Sequence, residues 1–368
     1  MSQFSFELAN TSHDGALRAV VREVSMPGEI SISLCREPSF FLAERLGNVK
    51  SQTIICKDGL SGNVVGIGGR STRTLYVDGL ERNIGYLSML RFLPVARSSN
   101  LLVRGYKYFR QLHADGDVPY YFTSILEDNS TARNILESGR AGLPMYTPIG
   151  TLVTYMIPLR KKGRRKKSCK YVNTCAEHLL PAAHDCIREW NSRYQLASSY
   201  SLADLGGKTS HLSGFSPENL YLHQKGGEVL GTLGVWDQES CKQTVVQKYS
   251  ARLKLIRPLY NAVARLSGQV PLPSVGGCIR CVYACCISSR GDDSSVFQSV
   301  LSQACSDWSQ KGYDYLLLGL CQGNKLESVA VTFSQRQLKS RIYLVHWKDE
   351  KVSLPQRPFL PHVEVATL

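Results

Sequence analysis

The stretch YLSMLRFLPVARSSNLLVRGYKYFRQLHADG, residues 86–116, decides the fold. Its apolar first part predicts a strand that ends at Leu93-Pro94. A turn containing Arg97 follows, and a helix is predicted to start at about Asn100. A turn of this kind presents backbone N–H groups and a helix N-terminus to an anion, and it therefore suits a pyrophosphate.

The segments on either side extend this pattern. Downstream, VPYYFTSILEDNSTARNILESG and MYTPIGTLVTYMIP predict a strand, a helix opened by Asn129, and a further strand that ends at Pro158. Upstream, residues 4–8 predict a strand and Asp14 opens an amphipathic helix. Asp-Gly and Gly-rich turns then separate the strands of an antiparallel meander that leads into the decisive stretch.

The second half of the chain repeats this order of elements. The predicted elements are a strand at 278–288, a helix at 294–311, a strand at 313–320, a helix at 325–338 and a strand at 341–347. An internal repeat of this length indicates two copies of one fold. We therefore divide the chain into an N-terminal domain at 1–158, a basic linker at 159–171 and a C-terminal domain at 172–368.

Length and composition agree with this division. The chain has 368 residues, of which 43% are apolar and 20% are charged, and these values are typical of a globular protein with about two domains. The N-terminus lacks a basic segment followed by an apolar run, and no apolar stretch is long enough to span a bilayer. We therefore expect a cytoplasmic protein without membrane contact.

The net charge of +14 is concentrated in RKKGRRKKSCK, residues 160–170, which holds eight basic residues and no acidic one. A solvated interdomain linker is the simplest interpretation. The alternatives are a contact with nucleic acid or another anionic surface, or an electrostatic funnel for a phosphorylated cofactor. No RNA- or DNA-binding module accompanies the run, so nucleic acid is not expected as a partner.

The 12 cysteines are expected to be reduced thiols, since no export signal is present. Cys278 and Cys281 have the spacing of a zinc pair. In a single strand, however, these two side chains point to opposite faces, so we expect no metal site.

These segments resemble the GNAT N-acetyltransferase superfamily, in a tandem arrangement of two GNAT-like domains. The resemblance implies a mixed α/β fold in which each domain is a mostly antiparallel twisted sheet with helices on both faces. It also implies that the fourth strand carries a bulge and splays from the fifth, and that acetyl-CoA lies in the resulting gap. Arg97 matches the family's loop pattern, whereas Asn100 and Leu102 stand where small residues are usual.

The resemblance further implies which residues contact acetyl-CoA. The implied positions are the strand, the loop and the start of the helix that follows the fifth strand: Leu90, Arg91, Phe92, Leu93, Arg97, Ser98, Ser99, Asn100, Leu101, Leu102, Asn129 and Ala132. The family often has a tyrosine after this last helix start, where it protonates the leaving thiolate. In this chain that position is Leu136.

Nearby residues must then supply the acid and the base. Spacing alone does not choose among Tyr120, Tyr121, Tyr146 and Tyr155, which lie on the flanking strands. We name Tyr121 and Tyr146 as candidate acids and Glu127 as a candidate base.

The second copy departs further from the family. Asp292 and Asp293 precede its first helix, where they would repel a pyrophosphate, and Glu327 stands where the first copy has Ala132. We therefore expect the C-terminal domain to bind no cofactor.

The predicted function is acyl-CoA-dependent N-acyltransfer, with acetyl-CoA as donor and a primary amine as acceptor, by direct attack in a ternary complex. The acceptor is not defined and could be a small molecule or a protein, and a homodimer stays open. The alternative is a non-catalytic GNAT-like protein that binds acyl-CoA or another protein.

Overall fold

The computed structural model describes residues 3–97, 99–159, 169–350, 352, 355 and 360–368. Most of the basic run, including residues 160–168 of the predicted linker, lies outside these described residues. Among the helices that are described, none is both long enough and apolar enough to cross a membrane.

Most strands of the chain join a single large sheet. The strands in chain order are β1 Phe4–Leu8, β2 Ile30–Cys35, β3 Lys50–Asp58, β4 Val64–Val77, β5 Leu80–Phe92, β6 Tyr121–Leu126, β7 Met145–Pro158, β8 Val172–Thr174, β9 Leu220–Lys225, β10 Glu228–Trp236, β11 Gln243–Tyr249, β12 Cys278–Ile279, β13 Cys281–Ser289, β14 Tyr315–Cys321 and β15 Arg336–His346. Twelve of them form the sheet β1-β3-β4-β5-β6-β15-β7-β14-β13-β10-β9-β8, and β12-β11-β2 form a small second sheet.

The helices pack against these two sheets. They are α1 Asp14–Glu23, α2 Phe40–Glu44, α3 Ser99–His113, α4 Ser130–Leu136, α5 Leu180–Asn191, α6 Leu202–Leu205, α7 Ala251–Ser267, α8 Ser294–Trp308 and α9 Glu327–Phe333. The predicted mixed α/β fold, with a mostly antiparallel sheet and helices in each half, is confirmed.

The last strand of each half is exchanged with the other half. Strand β15, from the second half, lies between β6 and β7 and pairs antiparallel with both. Strand β7, from the first half, pairs antiparallel with β14. The two halves therefore share one continuous sheet.

Two predicted elements of the second half differ in the structure. The strand predicted at 278–288 is broken at Arg280, whose guanidinium binds Glu239 at 2.7 Å and whose amide donates to Asp314 at 2.9 Å. These bonds turn the chain, so that Cys278 pairs in the small sheet and Cys281 pairs in the large one. The helix predicted at 325–338 ends at Phe333, because Arg336 already pairs with Met156 in the exchanged ladder.

The core lies on both sides of the large sheet. Under α3, the aromatic residues Tyr106, Phe109, Tyr121 and Trp347 form one buried cluster. In the second half, α5 and α8 bury Trp190 and Phe297 against β10, β13 and β14. The first cluster borders the space described next.

Candidate functional site

Strands β5 and β6 separate soon after they meet. They pair in parallel only at Gly85 with Tyr121 and at Tyr86 with Phe122. One residue further along, the Thr123 hydroxyl donates a hydrogen bond to the Leu87 carbonyl at 2.8 Å, in place of a backbone ladder. Beyond this point the two strands diverge and leave a gap in the sheet.

A β-bulge in β5 lies at the edge of this gap. In the ladder with β4, Ser88 pairs with Gly69 and Arg91 pairs with Ile67, so Met89 and Leu90 fall outside the paired register. Met89 has a φ of 60°, which is uncommon for a residue other than glycine. A bulge re-aims backbone groups away from the ladder, and here it directs them to the gap.

A cavity of about 500 Å³ runs through the gap and reaches both faces of the sheet. On the side of α3 and α4 its lining is mostly apolar and includes Ile54, Leu102, Phe109, Leu136 and Tyr146. On the opposite side its lining is strongly charged and includes Arg36, Glu44, Arg73, Arg91 and Lys242.

The cations at the charged end have few partners. Arg36 stacks over Phe40 at 4.8 Å and makes no hydrogen bond or ion pair with a residue that the structure describes. Arg91 donates only to the Met89 sulfur, at 2.9 Å, among those residues. Burial, and repulsion from Arg36, lowers the pKa of Arg91 to about 10. The positive potential of these two guanidinium groups favours the binding of an anionic group at this end of the cavity.

Lys242 belongs to the same charged end. Its ammonium group donates to the Leu368 oxygen at 3.3 Å. Burial, together with repulsion from Arg36 and Arg73, lowers the pKa of Lys242 to about 7. Arg73 itself is held by Asn48 at 2.7 Å and by Thr367, and it stacks on Tyr86 at 3.9 Å.

Glu44, the last residue of α2, is the one acidic side chain in the cavity lining over the described part of the chain. It accepts a hydrogen bond from the Thr53 hydroxyl, and Arg36 is near enough to attract it. Burial raises the pKa of Glu44, whereas the Thr53 hydroxyl and the charge of Arg36 lower it by less. A carboxyl group with a raised pKa is a stronger base when ionised.

The loop between β5 and α3 adjoins the cavity. The exposed Arg97 donates through Nε to the Phe92 carbonyl at 3.2 Å, and Leu101 is buried against Cys56 and Ala96. Leu102 lines the cavity. Ser98 lies outside the described residues, and α3 begins at Ser99, so Asn100 stands in the first helical turn.

Of the other residues that the resemblance implies as acetyl-CoA contacts, most line the cavity and one packs in the core. Leu90, Arg91 and Phe92 line the cavity, whereas Leu93 packs against the core clusters beside it. Asn129 lines the cavity and caps α4, because its side chain accepts from the Ala132 amide at 3.2 Å. Ala132 lines the cavity as well.

The three predicted catalytic residues are not brought together. Tyr146 lines the cavity, and its hydroxyl bonds that of Tyr106. Tyr121 lies outside the lining, where its hydroxyl bonds His113 Nδ1 at 2.9 Å. Glu127 also lies outside it, 3.9 Å from Arg341.

The sequence did not point to four residues of the charged end: Arg36, Glu44, Lys242 and, on β4, Arg73. Arg36 and Glu44 lie between β2 and β3, and Lys242 immediately precedes β11. No local motif connects these segments. They meet because β2 and β11 pair in the small sheet, at Gln243 with Cys35.

The second half contains an equivalent gap. Strands β13 and β14 pair in parallel only from Cys281 to Tyr283, and a bulge follows at Cys286, whose φ is 50°. The chain's own residues fill this gap. Buried Glu364 accepts from the Cys286 amide at 2.8 Å and from the Tyr200 hydroxyl, and Val365 packs over Gly319.

Glu364 makes stability depend on pH. Burial raises its pKa from 4.5 to about 7, so between these values the folded chain binds a proton that the unfolded chain has lost. The contribution of Glu364 to stability therefore falls as pH rises through this window, by up to about 1.4 kcal/mol per pH unit.

We expect Glu364→Gln to remove this dependence while keeping the acceptor for the Cys286 amide. Urea unfolding of both proteins from acidic to neutral pH measures the difference. The variant should gain stability relative to the wild type as pH rises, and a constant difference would contradict the assignment.

The sheet order, the two bulged strands and the two gaps define a tandem GNAT fold, as the sequence predicted. N-myristoyltransferase of Saccharomyces cerevisiae, solved with bound myristoyl-CoA, aligns over 99% of this chain and 90% of its own, at 11% identity and a TM-score of 0.63. A GCN5-related N-acetyltransferase of Sphaerobacter thermophilus aligns over 100% and 99%, at 10% identity and a TM-score of 0.55.

A third similar structure is the GCN5-related glucosamine N-acetyltransferase region of a fungal β-N-acetylglucosaminidase. It aligns over 94% of this chain and 38% of its own, at 10% identity and a TM-score of 0.57. No protein-family model and no curated protein matches the sequence. The shared feature is therefore the fold.

Proposed function

We propose that the chain is an acyl-CoA-dependent N-acyltransferase whose donor lies in the gap between β5 and β6. The observation that carries the proposal is the cavity that passes through this gap beside the bulge at Met89 and Leu90. Such a gap lets a thioester lie along the strand on one side of the sheet while an amine approaches from the other. The structurally similar proteins named above are acyltransferases, which supports this class.

The bulge suits stabilisation of the reacting carbonyl. During attack the amine nitrogen forms a bond to the thioester carbon, and negative charge develops on the carbonyl oxygen. Backbone N–H groups near Met89 and Leu90, freed from the ladder register, are placed to donate to that oxygen. The carbon–sulfur bond then breaks and the electron pair leaves on sulfur.

Tyr146 is the proposed donor of a proton to the leaving thiolate. Tyr146 lines the cavity, as does Leu136, which occupies the position of the usual family tyrosine. Burial raises the pKa of Tyr146 well above its ordinary range, so the phenol keeps its proton at neutral pH and stays a hydrogen-bond donor for the charge that develops on sulfur. The Tyr106 hydroxyl is hydrogen-bonded to it.

Glu44 is the proposed general base. The attacking nitrogen must lose a proton, and among the described residues Glu44 is the acidic side chain at the charged end of the cavity. A protonated amine would also be attracted to it. Both the removal of the proton and the attraction of the protonated amine require the acceptor's nitrogen to lie next to α2.

The cations around Glu44 indicate the class of acceptor. Arg36 and Arg91 form no ion pair with a carboxylate of the described side chains, although Arg36 is near enough to attract Glu44, and Lys242 lies close by. We propose that the acceptor carries a carboxylate or phosphate besides its amine, as an amino acid does. The amine would then face Glu44, and the anion would face the guanidinium groups.

The apolar end indicates an acyl group longer than the acetyl group expected from the sequence. An acetyl group would leave the part of the cavity lined by Ile54, Leu102 and Phe109 unfilled, whereas a longer chain would occupy it. Each buried CH₂ contributes about 0.8 kcal/mol, which is roughly a fourfold gain in affinity.

Calorimetry with a series of acyl-CoAs tests the function. We expect affinity to rise from acetyl-CoA through octanoyl-CoA to myristoyl-CoA. Release of free CoA should then be measured with paired amines, such as glycine and glycinamide or phosphoethanolamine and ethanolamine, and the anionic member of each pair should react faster. Failure of every acyl-CoA to bind would overturn the proposal, and binding without CoA release across the panel would favour the non-catalytic alternative.

A further inference from the structure

Helix α7 projects from the small sheet and is held along one side. Its first turn is capped by Ser250, which accepts from the Leu253 amide at 3.2 Å. Asn261 exchanges hydrogen bonds with the backbone of Leu272 at 2.8 and 2.9 Å, and the Tyr260 hydroxyl donates to Val270 at 3.2 Å. The helix and the loop after it therefore form one anchored unit.

The opposite side of α7 is apolar and open to solvent. The exposed fractions are 81% for Leu255, 71% for Leu259, 53% for Val263 and 88% for Leu266. Their spacing places them along one stripe of the helix, which we call the outer stripe. Single exposed apolar residues are common on protein surfaces, but a continuous stripe marks a surface that binds something apolar.

The charges of α7 favour an anionic partner. The helix contains no Asp or Glu, and three of its basic residues are exposed: helical spacing places Arg252 along the outer stripe and Lys254 and Arg265 to one side of it. Basic side chains of this kind bury their stems against apolar matter and extend their charged ends to phosphate groups. Each such charge adds about 1 kcal/mol of attraction to an anionic membrane surface.

We propose that α7 docks the protein on the surface of a membrane that contains anionic lipids. The outer stripe enters the region between headgroups and acyl chains, and the basic residues contact the lipid phosphates. From the sequence we expected no membrane contact, because no apolar stretch is long enough to span a bilayer. That criterion does not detect a helix that lies in the interface, since such a helix is amphipathic and charged.

Cosedimentation of the full chain with vesicles tests this proposal without reference to catalysis. The vesicles are phosphatidylcholine alone or phosphatidylcholine mixed with phosphatidylserine. We expect binding to the mixed vesicles that weakens as salt is raised. The double variant Leu259→Glu, Leu266→Glu should weaken it by at least about 100-fold, because two buried leucine side chains are lost.

Leu60→Glu is the matched control, since Leu60 is 87% exposed in the turn between β3 and β4, away from α7. All three proteins should fold alike by circular dichroism, because the substituted positions are exposed. No binding to either vesicle, or equal losses in the control and the double variant, would overturn the proposal. So would a concentration-dependent dimer abolished only in the double variant, which would assign the outer stripe to a second copy of the chain.

Discussion

Glu44→Gln is expected to lower kcat by about 10²- to 10⁴-fold, the usual contribution of a general base, and to leave the affinity for acyl-CoA unchanged. Gln keeps the size of the side chain and can still accept from Thr53, but it cannot take a proton from the amine. Steady-state kinetics with the best acyl-CoA and amine of the panel, together with calorimetry, measure the two quantities.

The pH profile separates a catalytic function of Glu44 from a structural one. Burial raises the pKa of Glu44, and the base is active only when ionised, so the wild-type rate should fall as pH decreases through that raised pKa. The residual rate of the variant should lack this limb. Glu37→Gln is the control, because Glu37 forms ion pairs with Arg18 and Arg22 outside the cavity. An unchanged kcat in Glu44→Gln would show that another group removes the proton.

Ala132→Trp should weaken acyl-CoA affinity by at least about 100-fold, because the larger side chain would fill part of the cavity that the donor needs. Ala132 lines the cavity in the first turn of α4, where Asn129 caps the helix. An indole at this position would occupy the space between β5 and β6 that we assign to the donor.

Ser130→Trp makes the same substitution on the outside of α4. Ser130 is exposed and does not line the cavity, so acyl-CoA binding should survive in this variant. Calorimetry on both variants, with thermal unfolding as a check of folding, gives the comparison. Equal affinities in Ala132→Trp and the wild type would place the donor elsewhere.

The parts of the fold that depend on neighbouring residues could be predicted from the sequence. The strand at 86–92, the loop with Arg97 and the capped helix after Asn129 carry local signals of periodicity and capping. The strand exchange carries no such signal. Strands β7 and β15 have similar apolar patterns, and each could pair with either β6 or β14 until the whole sheet assembles.

The residues of the candidate site, too, could be predicted only where a local motif contains them. Tyr146, Arg91 and Asn129 were found because they lie within or beside the recognisable motifs. Glu44 was not found, because α2 has only five residues and no catalytic pattern surrounds it. Only the tertiary structure brings Glu44 into the candidate site, because it lines the same cavity as the bulge of β5, which lies more than forty residues later in the chain.

The exchanged strands have a consequence for the cavity of the first half. Tyr146 on β7 and Ser340 on β15 both border the cavity, and Tyr283 of the second half lines it as well. A first half on its own would lack Ser340 and Tyr283 from that wall, and β6 would lose its partner β15. The second half thus supplies both side chains and a strand to the cavity of the first half, while its own gap is filled by residues of the chain, such as Glu364.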